Sequence, residues 1–359
     1  MARTTALQTS TAPDLLPDRW RIIGIFGACV ASLFAAVVLA VAIGAVSVPP
    51  LAVIELTLSR LLSLPRPALY PETFDTILFE IRLPRVAITA LIGAALAASG
   101  STYQGLFRNP LADPYLVGVA SGAGLGATLA LGLNLHHTAL GLNATPIGAF
   151  LGAVITVAVV VISAQVGRTT PVSTMLLAGV AIGSFTTAVT TFLMLLSPDG
   201  LRRAFTWLLG GYNGGGWQPF WIVLPYLIVG LIILQFNARA LNVLQLDEEQ
   251  ARQLGINVER LKLTVVAAAT LITAAAVAFG GLVGFVGLVV PHVLRMIAGP
   301  DYRRLIPLSA IGGAAFLVIA DLVARTIIAP TELPVGVVTA LAGAPFFILL
   351  LRRLKRSVF

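Results

Sequence analysis

Ten apolar stretches constrain this chain more than any other feature of its sequence, at 22–46, 84–106, 115–133, 145–166, 174–196, 219–236, 262–282, 284–298, 307–329 and 335–352. Most approach or exceed the ~20 residues that a helix needs to cross the hydrocarbon core of a bilayer. Only 11% of the residues are charged, against about 25% in a water-soluble domain, so lipid must cover much of the surface. The reading is an all-α membrane protein of ten transmembrane helices over 22–352, with polar tails at 1–21 and 353–359. The first stretch follows Arg3, Arg19 and Arg21 as a signal peptide would. It exceeds the ~7 to 15 apolar residues of a secretory segment, however, and reads as a retained span. The eighth is short and contains Pro291, and the glycine-rich segment 280–287 precedes it, which predicts broken or re-entrant helix there. Such backbone survives at membrane depth only where protein or a water cavity satisfies its polar groups.

The formal charge of +8 does not indicate nucleic acid, because the basic residues lie singly between apolar runs and not on one face. Topology explains them better, since cytoplasmic loops are enriched in Lys and Arg. With both termini inside, Arg3, Arg19, Arg21, Arg108, Arg168, Arg239, Arg252, Arg260, Lys262, Arg295, Arg303, Arg304, Arg352, Arg353, Lys355 and Arg356 fall on the inner side. Arg60, Arg66, Arg82, Arg85, Arg202, Arg203 and Arg325 fall outside, so the larger group is cytoplasmic. Segment 47–81 is a proline-rich outer connection with a helical stretch near 51–62. Segment 242–260, NVLQLDEEQARQLGINVER, is a charged inner loop of helical composition, of the kind that offers a docking surface to another protein. Small-residue runs such as GVASGAGLG at 118–126 suit the close approach of helices in lipid.

Chemistry is sparse. A phosphate-binding loop places a lysine after glycine, whereas Lys262 and Lys355 both follow leucine, so any ATP hydrolysis belongs to a separate subunit. The three histidines are His136 and His137 in an outer loop and His292 beside Pro291, and no zinc-binding spacing exists. The loop pair reads as incidental and His292 as a hydrogen-bonding residue at the helix break, leaving no catalytic or metal site. Cys29, alone of its kind, reads as a packing residue. Asp321 and Arg325 stand one helical turn apart and can pair within a span. The shortage of acidic residues in the spans argues against an ion-coupled secondary transporter, and the lack of a paired nucleophile and base argues against an intramembrane enzyme.

Three blocks resemble a known family. They are RLPR at 82–85 with SGSTYQGLFRNPLADPYLVGVASGAGLG from Ser99; LLAGVAIG at 176–183; and a run from Leu246 with ARQLG, GLVGFVGLVVPHVLR at 281–295, Ala320-Asp321 and ELPVGVVTALAGAPFF at 332–347. The chain is similar to the permease subunits of type II ABC importers for haem, iron-siderophores and cobalamin, the FecCD/BtuC-like family. The resemblance implies a homodimer of ten-helix subunits in a bacterial inner membrane. Its partners would be a second copy of itself, two cytoplasmic ATPases that use ATP and Mg, and a periplasmic binding protein. This subunit would bind no cofactor. The resemblance places ATPase coupling at Glu248, Ala251, Arg252, Leu254, Gly255 and Asn257. It places binding-protein docking at Arg82, Arg85 and Arg325, and a cytoplasmic gate at Asn109, Pro110, Leu111, Val172 and Ser173, where some cobalamin relatives carry Thr-Ser in place of Val172-Ser173. Haem is favoured as substrate from the tail APTELPVGVVTA at 329–340, ahead of siderophore-iron and cobalamin.

Overall fold

The computed structural model describes residues 18–356 other than 45, 47, 134, 136–142, 197 and 212–214, and the described backbone is nearly all helical. In chain order the helices are α1 (Asp18–Ala42), α2 (Pro50–Leu61), α3 (Thr73–Thr76), α4 (Leu83–Leu106), α5 (Val119–Gly132), α6 (Ala144–Ser163), α7 (Val172–Leu196) and α8 (Pro198–Leu208). They continue as α9 (Gln218–Phe236), α10 (Ala238–Leu244), α11 (Glu248–Gln253), α12 (Val258–Gly280), α13 (Val286–Ala298), α14 (Tyr302–Thr326) and α15 (Val335–Arg356). Each apolar stretch coincides with one of them. Seven of the described helices have the length and apolarity of a span, while those at Val119–Gly132, Val286–Ala298 and Val335–Leu349 are shorter. Helix length alone therefore supports a multi-pass protein but not the count of ten. Residues 1–17 and 357–359 of the expected tails, and the pair His136 and His137, lie outside the described residues.

Small residues decide which helices sit in the middle. In their most apolar windows the helix ending in α4 is 67% buried, α12 72% and α14 61%, whereas α1, α6, α7 and α9 lie between 6% and 28%. Gly93 of α4 meets Gly313 of α14, Gly100 meets Gly287 of α13, and Gly122 and Gly126 of α5 meet Gly152 and Gly148 of α6. At each, an added methyl would overlap the facing backbone. Lipid offers no hydrophobic drive between helices, so close packing and interhelical hydrogen bonds hold them instead. Ser99 and Thr273 lie 2.9 Å apart and Tyr103 and Thr270 3.1 Å, both pairs buried between α4 and α12. Outward, Leu151, Ile155 and Ile162 of α6, Phe185 and Phe192 of α7, and Trp221 and Phe236 of α9 are exposed, which suits hydrocarbon. Cys29 packs half-buried against the core, as expected.

The expected break falls within the glycine-rich segment and not at the proline. α13 runs unbroken through Pro291; the interruption is 281–285, with left-handed φ at Gly281 (64°) and Phe285 (68°). Proline removes the N–H that would bond the carbonyl four residues back, here that of Gly287. Gln104 Nε2 of α4 donates to Gly287 O at 3.2 Å and to Leu288 O at 3.3 Å, filling that gap. Protein also satisfies the break itself: Gly211 N–H donates to Gly280 O at 2.8 Å and the Tyr115 hydroxyl to Val283 O at 2.9 Å. His292 does not meet its expected role fully, because among the described residues its buried Nδ1 finds no hydrogen-bond partner, and its ring lies edge-on to Phe346, 6.5 Å away.

Candidate functional site

α4 runs for 24 residues, about 36 Å at 1.5 Å per residue, and a polar assembly gathers at each of its ends. Upstream of its first residue, Ile77–Arg82 forms a π-helical turn in which Leu83 N–H reaches Leu78 O. Pro84 would clash with the carbonyl four residues before it in a regular helix, and the wider turn relieves that clash. The turn directs Arg82 inward. Its Nη1 donates to Val41 O at 2.7 Å and Ala42 O at 3.0 Å, and its Nη2 to Val46 O, so one cation caps the end of α1, where the helix dipole is negative.

Arg85 lies across from α14. Its Nη2 is 2.9 Å from Asp321 Oδ1 and its Nη1 2.9 Å from Glu332 Oε2. Arg325 Nε lies 2.9 Å from Asp321 Oδ2 as an ion pair without hydrogen-bond alignment, and Arg325 Nη2 donates to Ala40 O at 3.1 Å. The expected pairing of Asp321 with Arg325 is therefore present, and Arg85 and Glu332 enlarge it to a four-residue network. The resemblance implied outward-facing arginines for a partner. The structure instead buries Arg82 and leaves the side chains of Arg85 and Arg325 only 17% and 8% exposed, each already engaged within the chain.

At the other end, 242–260 folds into the end of α10, all of α11 and the start of α12. Asp247 caps α11, Gly255 ends it at φ 84°, and Asn257 caps α12 by accepting from Arg260 N–H at 3.0 Å. Leu254 is 65% exposed, whereas Ala251 is fully buried, so Ala251 supports the loop from within and does not face a partner. Arg252 lies 3.7 Å from Glu248 and 3.6 Å from Glu259. Gln245 Nε2 donates to Gly105 O at 2.9 Å, and Arg108 approaches Asp247 at 3.5 Å, which ties the loop to α4. Asn242 donates to Asp301 at 2.6 Å. Hydrogen bonds from Arg303, opposed by burial and helped by Asn242, hold the Asp301 carboxyl down at about 2.

The residues that the resemblance implied for a gate flank this loop. The Asn109 side chain accepts from Leu111 N–H at 2.9 Å, folding Asn109, Pro110 and Leu111 into a tight turn just beyond Arg108. Burial pushes the following Asp113 carboxyl up to about 6, against the Tyr115 N–H that it accepts. Val172 opens α7 with Ser173 next, and Thr174 donates to Ala164 O at 2.9 Å. Sequence reasoning missed three participants: Thr170, Glu259 and the buried Lys262, which binds Glu248 at 2.9 Å and Thr170 O at 3.1 Å. A lysine three residues after a glutamate, at the mouth of an apolar stretch, was their visible signal. Among the described residues no group of His, Cys, Asp and Glu could hold a metal ion.

A model of the FecCD transport family matches residues 32–353. The chain is 48% identical over 282 residues to the cobalamin import system permease protein BtuC of Halobacterium salinarum, covering 79% of this chain and 75% of that protein. It is 45% identical to the uncharacterized ABC transporter permease protein YvrB of Bacillus subtilis, covering 79% and 81%. To the hemin transport system permease protein HmuU of Yersinia pestis it is 41% identical, covering 77% and 84%. A solved structure of a metal-chelate type ABC transporter in an inward-facing conformation superposes with TM-score 0.79 at 28% identity, covering 92% of this chain and 99% of that one.

Proposed function

The chain belongs to the FecCD transport family, and from that premise we propose that it is the membrane-spanning subunit of an ATP-driven importer for a bulky metal chelate. The observation that carries this reading is the placement of two polar assemblies at opposite ends of α4, one of them bearing the short helix α11 with Leu254 exposed beside it. A cytoplasmic ATPase would seat on Glu248, Arg252, Leu254, Gly255 and Asn257, with Ala251 shaping the loop behind them. The turn at Asn109, Pro110 and Leu111 and the start of α7 at Val172 and Ser173 would close the path on that side. A periplasmic binding protein would dock at the far end, where Arg85 or Arg325 must exchange an internal carboxylate for an external one, while Arg82 fixes the end of α1. A homodimer, both termini cytoplasmic and sixteen inner basic residues complete the arrangement. ATP and Mg act on the partner ATPase.

The substrate is haem, ferric siderophore or cobalamin. The tail at 329–340 favours haem, but the relative named for cobalamin is 48% identical and the one named for hemin 41%. Cobalamin is therefore the second reading and stands at least level. Reconstitution in vesicles with the cognate ATPase and binding protein decides among the three, with uptake of one chelate expected only when ATP is present. The isolated chain is expected to hydrolyse negligible ATP. Turnover by the chain alone, or uptake without nucleotide, would overturn the assignment.

Leu254→Asp is expected to weaken co-purification of the ATPase by about tenfold or more, because a charge would replace an apolar contact worth at least ~1.4 kcal/mol. Its thermal unfolding should match that of the parent, since Leu254 is exposed. Unchanged co-purification would remove Leu254 from the contact.

A further inference from the structure

Lys262 joins three segments that the sequence separates. Its side chain is 2% exposed, and its ammonium lies 2.9 Å from Glu248 Oε2 on α11 and 3.4 Å from Glu259 Oε1 on α12. It also donates to Thr170 O at 3.1 Å, in the loop before α7. Glu259 completes the clamp, because its Oε2 accepts Thr170 N–H at 2.8 Å. An ammonium has three donors, and here each has an acceptor. Both backbone polar groups of Thr170 are thus held by one ion pair, next to Pro171 and the start of α7.

A lysine taken this far from water costs several kcal/mol unless it is fully paired, so these contacts act together. The loop is stiff enough to follow them. Val166 N–H donates to Thr169 O at 2.9 Å and Thr169 N–H to Val166 O at 3.2 Å, closing a small turn, and Thr174 Oγ1 ties it to the end of α6. On the solvent side Arg252 reaches Glu248 and Glu259 at 3.7 and 3.6 Å, so a partner that pulls on Arg252 pulls on both carboxylates of the clamp. Resting on the importer reading, we propose that Lys262 and Glu259 are positioning residues that turn a displacement of α11 into a displacement of Thr170 and hence of the start of α7. The route is contiguous: α11, Glu248, Lys262, Thr170, α7.

The test uses Lys262→Met and, independently, Glu259→Ala, which removes the bond to Thr170 N–H but leaves Lys262 its Glu248 partner. Amide exchange is followed at 165–171 in lipid nanodiscs, for the chain alone and for the complex with its ATPase, with and without a non-hydrolysable nucleotide. Both variants should exchange faster at 165–171, and the nucleotide-dependent change seen in the parent complex should disappear. In vesicles, chelate taken up per ATP hydrolysed should fall about tenfold, within the span of ordinary coupling energies, while hydrolysis itself persists. A purely structural role would lower uptake and hydrolysis in proportion, and that result overturns the linkage. So does unaltered exchange at 165–171 in both variants, or a parent whose exchange there ignores nucleotide. If the parent takes up no chelate, the importer reading fails, and the nucleotide-dependent exchange at 165–171, kept or lost in the variants, still decides the linkage.

Discussion

Gly126→Val is expected to leave almost no monodisperse protein after extraction, because its side chain would have to occupy the space of the Gly148 carbonyl across the α5–α6 contact. Gly148 faces back onto Gly126, and Gly152 onto Gly122, so neither helix can yield by a simple rotation. Overpacking a close contact costs ~1–3 kcal/mol and more where backbone must move, and the facing group here is backbone. The control is Gly27→Ala on α1, where nothing lies within 4 Å of the added carbon. It should be neutral or slightly stabilising, as Gly to Ala in a helix gains up to about 1 kcal/mol. Size-exclusion profiles and thermal unfolding in detergent compare the two. Equal behaviour would mean that the α5–α6 interface does not depend on glycine.

Asp321→Ala should lower the unfolding temperature sharply, because the carboxylate is 2% exposed and stands between Arg85 and Arg325, whose side chains are 17% and 8% exposed. Removing one member of a buried pair costs ~3–5 kcal/mol, chiefly by leaving its partner uncompensated. Two cations would then face one another, with Glu332 and the Ala40 carbonyl left to meet them among the described residues. Adding Arg85→Met should recover part of the loss, giving a coupling of roughly 0.5–3 kcal/mol in a double-mutant cycle. Strictly additive effects would show that the network is not a unit.

The helical architecture was legible because a bilayer enforces a simple rule on apolar length, and α4, α6, α7, α9, α12 and α14 all sit where their stretches lie. What the sequence conceals is partnership at a distance. Pro291 suggested a broken helix, since nothing local shows that Gln104, far earlier in the chain, replaces the missing donor. Arg85 read as an outward cation because its carboxylates, Asp321 and Glu332, arrive from α14 and the segment after it. The pair at Asp321 and Arg325 was visible because one turn of helix brings them together. The partners of Lys262 were hidden for the opposite reason, its acceptor at Thr170 lying five helices earlier in the chain. The exposure of Leu254 and the burial of Ala251, three positions apart, likewise follow from how α11 leans on α12 and not from composition.

Because Gln104 supplies what Pro291 lacks, α13 depends on α4 for part of its own backbone bonding. Sliding the two past each other would leave the buried Gly287 carbonyl without a donor, at about 1–3 kcal/mol. The register between α13 and α4 is therefore held by backbone bonding as well as by packing, which opposes any opening motion that shears one along the other.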